Sequence, residues 1–105
     1  GEPMGADDAW QSMQKGEIVP QTNPQTIADG LLTSLGDKTF PIIKEHVEEI
    51  IRVEEKKIIA PMRLNLERMN IIAEPSSAID HAALIKENKK YKDQQVGIIL
   101  SGGNV

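Results

Sequence analysis

Val96-Gly97-Ile98-Ile99-Leu100-Ser101-Gly102-Gly103-Asn104-Val105 is the stretch that decides the fold. A short apolar run rich in β-branched residues reads as a buried strand over 96–100. It halts at Ser-Gly-Gly-Asn, where the chain turns sharply and its backbone can come close to a ligand. In open α/β sheets, ligands sit at the carboxyl ends of strands. Ser101 therefore stands where a ligand-binding hydroxyl belongs, although a plain turn after a strand has the same pattern.

Working back from this stretch, residues 91–95 read as a connector. Ser76 or Ser77 can start a helix that runs through Ala78, Ala82, Ala83 and Ile85 to about residue 88. Ile72-Ala73-Glu74-Pro75 breaks the helical pattern before it. A helix over 54–70 carries Ile58, Met62, Leu66 and Met69 at helical spacing. Glu49-Ile50-Ile51-Arg52-Val53 reads as a second strand. A helix over 37–45 tolerates Pro41 only in its first turn. Residues 17–26 hold Pro20, Asn23 and Pro24 and are loop. Thr26-Ile27-Ala28-Asp29-Gly30 and the residues up to Gly36 form one helical turn or a structured loop. A short helix over 9–15, capped by Asp7 or Asp8, stops at Gly16. Strands that alternate with helices make this α/β with parallel pairing.

The 105 residues carry a net charge of −4 with 27% charged residues. That balance argues against nucleic acid as a partner. Lys86, Lys89, Lys90 and Lys92 cluster, but Glu87 and Asp93 lie among them, as on a solvated helix end. The absence of cysteine excludes disulfides and thiolate-bound metal. No apolar run reaches membrane-spanning length, and a cytoplasmic protein without a membrane partner is the expectation. Two strands would leave long unpaired edges. The chain is therefore expected to be a partial parallel sheet flanked by helices, incomplete at both ends, with Gly1-Glu2-Pro3 following an absent strand. Such a piece should expose apolar surface.

Four segments together resemble the pyridoxal-phosphate enzymes of the serine racemase and serine/threonine dehydratase family. They are Gly1-Glu2-Pro3-Met4-Gly5-Ala6-Asp7-Asp8, Thr26-Ile27-Ala28-Asp29-Gly30, Glu67-Arg68-Met69 with Ile72-Ala73-Glu74-Pro75-Ser76, and Leu100-Ser101-Gly102-Gly103-Asn104-Val105. The resemblance implies the tryptophan-synthase-like fold (fold type II), with residues 1–105 as the C-terminal part of the large, cofactor-binding domain. It also implies a homodimer for the intact protein.

The same resemblance implies roles for individual residues. Ser101 hydrogen-bonds the pyridine nitrogen of pyridoxal phosphate. Gly30 and Asp29 line the cleft, Glu74 lies near the cofactor ring, and Thr33 takes the place of a serine that contacts substrate. Glu2, Ala6 and Asp8 match a divalent-metal site, and two carboxylates with a carbonyl suit Mg²⁺ or Ca²⁺. The competing reading is a helix N-terminus that collects acidic residues for its dipole. Asn104 aligns with a nucleotide contact of the animal racemases, but Asn70 stands where its usual lysine neighbour would be, which argues against ATP as an effector.

Other parts of the family machinery are missing. None of the nine lysines sits in the motif that holds the cofactor covalently, and neither the opposing serine nor the glycine-rich phosphate cradle is present. No catalytic residue is therefore expected in this segment. His46 and His81 lack partnered acids and read as surface or packing residues. Met62 and Met69 read as core filler. Pro61 inside the long helix should kink it or cost about 3 kcal/mol. Asn65, Asp80 and His81 interrupt apolar patterns, at roughly 1–3 kcal/mol for each buried, unpartnered group. Two functions follow: part of a serine/threonine dehydratase or serine racemase acting on a small hydroxy-amino acid, or a non-catalytic module that only packs against a partner chain.

Overall fold

A computed structural model describes residues 1–102. Strands β1 (Glu2–Pro3) and β2 (Arg52–Val53) pair in parallel, with Glu2 opposite Arg52 and Pro3 opposite Val53. Around them lie helices α1 (Asp8–Lys15), α2 (Thr39–His46), α3 (Ile59–Met69) and α4 (Pro75–Lys86). Single 3-10 turns occupy Met4–Ala6, Asp29–Leu31 and Glu55–Lys57. The class is the expected one, an α/β fold with a small parallel sheet flanked by helices.

The sheet itself departs from the expectation. The run 96–100 pairs with no strand among the described residues, and Ile99 is 82% exposed. A strand is held by its neighbours' backbone groups, and an apolar run without a ladder or a covering layer has neither source of stability. The real partner of β2 is β1, which reads in the sequence as the residues after a strand. Two residues are too short for any period-2 signal, and Pro3 is a poor strand former. The second strand is also shorter than 49–53.

The core lies between α4, β2 and the start of α3. Ala78, Ile79, Ala82 and Ala83 of α4 are buried against Val53, Ile58 and Ala28. The small alanines let α4 come close to its neighbours, and Ile58 and Ile79 fill the remaining space. Each fully buried isoleucine contributes about 1.5–3 kcal/mol.

Local chemistry sets the helix ends. Gly16 takes φ 83° and donates its N–H to the Ser12 carbonyl at 2.8 Å, a left-handed cap that ends α1. Pro75 occupies the first turn of α4, where a missing N–H is harmless. The expected start at Ser76 or Ser77 is one or two residues late, and the helix stops at Lys86 rather than 88. Pro61 does not interrupt a long helix. The chain breaks after Glu55–Lys57, so Pro61 falls in the first turn of α3 and the expected penalty does not arise. α3 ends at Asn70, in the left-handed conformation at φ 56°.

The polar interruptions separate into two kinds. Asp80 is exposed and His81 half-buried, so neither is a burial problem. Asn65 is fully buried, and neither its Oδ1 nor its Nδ2 has a hydrogen-bond partner. Leucine has the same branching without the polar atoms. Asn65→Leu is expected to stabilise the intact protein by about 1–3 kcal/mol, read as a higher denaturation midpoint in urea. An unchanged or lower midpoint would show that the amide is satisfied or that the site is too tight for leucine. Met62 packs against the core as expected, whereas Met69 is half exposed and is not core filler.

Among the described residues no helix is long and apolar enough to cross a membrane. Large apolar side chains do lie at the surface, including Ile42, Ile59, Leu66, Ile72 and Ile99.

Candidate functional site

Three segments far apart in sequence meet at the N-terminal end of α4. Glu74 is the residue before that helix. Its carbonyl accepts from the Ser77 and Ala78 amides at 3.1 and 3.2 Å and from Ser77 Oγ at 3.1 Å. Its side chain lies directly beside Gly102. A Cβ added to Gly102 would sit 2.6 Å from both Cγ and Cδ of Glu74, and the backbone there has φ +87°. Both facts require glycine at 102. The sequence marks this turn as one that lets a ligand approach the backbone, and the close neighbour in the fold is Glu74. Ser101, one residue earlier, is exposed at the same place.

The third segment is the loop that carries Gly30. Gly30 lies in the 3-10 turn Asp29–Leu31 and donates its N–H to Ser76 Oγ at 2.9 Å. Ala28, immediately before the turn, is fully buried and anchors it to the core. Gly30, Glu74 and the Ser101–Gly102 turn are thus gathered around one helix start. Asp29 and Thr33 are exposed on the same loop. Asn104 lies outside the described residues.

The sequence undervalues Ser76, which closes one of the four segments quoted above but is otherwise only a candidate helix start. Its contact with Gly30 spans 46 residues, and no local pattern signals that. Glu55 is a second such case: its Oε2 accepts from the Ile27 amide at 3.1 Å, while its Oε1 is buried without a partner.

The acidic cluster is built around the start of α1. Glu2, Ala6 and Asp8 are all buried. Glu2 lies in β1, outside α1, yet its carboxylate caps that helix. Oε1 accepts from the Ala9 amide at 3.0 Å and Oε2 from the Trp10 amide at 2.8 Å. The side-chain cap expected from Asp7 or Asp8 does not form. Asp7 instead pairs with Arg52 at 3.2 Å, and the Arg52 guanidinium lies 3.6 Å from the centre of the Trp10 ring. Asp8 accepts from Gln21 Nε2 at 3.0 Å and from the Leu35 amide at 3.2 Å. Burial pushes the Glu2 carboxyl up to about 7, against the pull of the Trp10 and Ala9 amides, and the neighbouring Asp8 carboxylate pushes the same way.

This arrangement sets what each cluster can hold. Among the described residues no three acidic or histidine side chains converge. A cation here would draw on two carboxylates, a backbone carbonyl and waters, a donor set for hard ions rather than zinc. At the other cluster, the exposed Ser101 hydroxyl can hydrogen-bond a neutral ring nitrogen, while the Glu74 side chain fills the space beside Gly102 and Ser76 Oγ the space beside Gly30. A neutral hydroxyl exposed at this turn is a group that would suit the ring nitrogen of pyridoxal phosphate. His46 is exposed beside Glu45 and His81 is half-buried in α4; neither joins either cluster.

Comparison with known proteins supplies the family. The family model for pyridoxal-phosphate dependent enzymes matches residues 2–102. The chain is 54% identical over 108 residues to a serine racemase of Dictyostelium discoideum, covering 99% of this chain and 33% of that protein. It superposes on the structure of maize serine racemase with a TM-score of 0.91 and 39% identity, over 99% of this chain and 33% of that one. The T.th. threonine deaminase superposes equally well, with a TM-score of 0.91 and 38% identity, over 98% of this chain and 38% of that one. The chain spans about a third of the length of these relatives. With nearly all of its residues matched by the family model and by these folds, the chain belongs to the pyridoxal-phosphate dependent enzymes.

Proposed function

We propose that the intact protein deaminates or racemises a small hydroxy-amino acid, serine or threonine, and that this chain supplies the ring-nitrogen edge of its cofactor site. The observation that carries the reading is the convergence of Gly30, Glu74 and the Ser101–Gly102 turn on the start of α4. The serine racemase and threonine deaminase relatives supply the reaction class.

When bound, pyridoxal phosphate supplies an electron sink for charge that develops at the amino acid's Cα. Ser101 sets how deep that sink is. A carboxylate at this position would favour a protonated ring nitrogen, whereas a neutral hydroxyl has no charge with which to do so. The muted sink suits loss of a β-hydroxyl or reprotonation at Cα over transamination. Gly30 lets the loop backbone close on Ser76, where a Cβ would lie 2.9 Å from the hydroxyl oxygen, and Thr33 offers a hydroxyl on the same loop to seat the substrate. Glu2, the Ala6 carbonyl and Asp8 would hold Mg²⁺ or Ca²⁺ as a stabilising ion at the start of α1.

The test is the intact, cofactor-loaded protein supplied with L-serine, assayed for pyruvate and for D-serine. Turnover to either product is expected, with Ser101→Ala slowing it by roughly tenfold, as the loss of one hydrogen bond to the ring implies. Failure of the wild-type protein to form pyruvate or D-serine, or a 2-oxo acid from threonine, would overturn the reading.

A further inference from the structure

We propose that Ser76 is the positioning residue that holds the Gly30–Thr33 loop against the cofactor edge of the site. The inference rests on the functional reading above and extends it to a residue in neither candidate cluster.

The Asp29–Leu31 turn closes on itself through two local bonds: the Asp29 amide donates to the Ile27 carbonyl and the Leu31 amide to the Ala28 carbonyl, each at 3.0 Å. Those bonds shape the turn, and the buried Ala28, the packed Leu31 and the Ile27 amide's bond to Glu55 fix its two ends, which leaves the tip at Gly30 to be held by Ser76. The Gly30 amide points out of the turn, to Ser76 Oγ at 2.9 Å. Ser76 is the second residue of α4, whose Ala78, Ile79, Ala82 and Ala83 face is core. Two residues earlier, Glu74 packs where Gly102 has no Cβ. One helix start therefore carries both the cleft loop and the Ser101 turn. The fit at 30 is tight: an added Cβ would lie 2.9 Å from Ser76 Oγ. The hydroxyl acts through the Gly30 backbone rather than on substrate, so its loss should displace the loop and leave the chemistry intact.

The experiment compares intact wild-type protein with Ser76→Ala and Ser76→Thr, by hydrogen exchange and by serine kinetics. In Ser76→Ala the amides of residues 28–31 are expected to exchange about five- to tenfold faster, the change that follows from losing one hydrogen bond. KM for L-serine should rise by a similar factor while kcat and the absorption of the bound cofactor stay near wild type. Ser76→Thr, which keeps the hydroxyl, should restore both exchange and KM. Unchanged exchange in Ser76→Ala, or no rescue by threonine, would refute the proposal. So would faster exchange with an unmoved KM in an active enzyme. If the wild-type protein turns over no hydroxy-amino acid, the functional reading fails on its own, and the exchange comparison still decides whether Ser76 holds the loop.

Discussion

Gly5→Ala is expected to destabilise the intact protein by more than about 3 kcal/mol, because an added Cβ meets a closer obstacle here than at the other described glycines. The new Cβ would lie 1.8 Å from the backbone carbonyl oxygen of Gln25 and 2.8 Å from its carbonyl carbon. The same two segments are joined by the Gln25 amide, which donates to the Gly5 carbonyl at 2.8 Å. The obstacle is backbone and not a side chain that can swing aside, so one strand of chain must retreat from the other and that hydrogen bond must break. The turn so disturbed connects Glu2 to Ala6 and Asp8, and therefore the cap on α1 as well. Gly97→Ala is the control, because nothing lies within 4 Å of a Cβ there; it should change stability by less than about 0.5 kcal/mol. Urea denaturation of the two variants measures the contrast. Comparable midpoints would show that the loop at Gln25 yields freely.

The helices are legible in the sequence because their signals are local. Gly16 ends α1, Pro41 sits in the first turn of α2, and the Ala78, Ala82, Ala83 pattern marks the buried face of α4. Boundaries fail where a competing local choice is invisible. The break at Ile58 turns Pro61 from an interruption into a first-turn residue. The strands are harder because a strand is defined by its partner. The most strand-like run, 96–100, has no ladder, whereas Glu2–Pro3 and Arg52–Val53, too short to show a period, form the one pairing among the described residues. Ser101, Glu74 and Gly30 can each be named as candidates from their motifs. That they gather at one helix start cannot, since Ser76 and the side chain of Glu74 make their contacts across 46 and 28 residues. Glu2 shows the same limit from the other side. Its position outside the helix looks like a reason to need a metal, and in the fold its carboxylate serves the Ala9 and Trp10 amides.

Asp8→Ala is expected to produce two separable losses. The first needs no ion. Asp8 is buried and accepts from Gln21 Nε2 and the Leu35 amide, tying α1 to both ends of the long loop. Truncation leaves two half-buried donors without that acceptor, and at the low end of roughly 1–3 kcal/mol for each the loss is about 2 kcal/mol. The second loss appears only if Glu2, Ala6 and Asp8 hold a cation. A divalent ion there would favour the ionised form of Glu2, against the burial that pushes its carboxyl up to about 7. At an ion concentration about 100 times its dissociation constant, such binding raises stability by about 2.7 kcal/mol. Thermal melts of wild type with chelator, with Mg²⁺ and with Ca²⁺ should therefore differ, while those of Asp8→Ala should coincide. Asp8→Asn separates the terms: its amide oxygen still accepts from one donor, so it should recover part of the first loss, but without the charge it should gain little from the ion. Identical wild-type melts under all three conditions would remove the cation from the site, leaving Asp8 as the buried acceptor that fastens the loop.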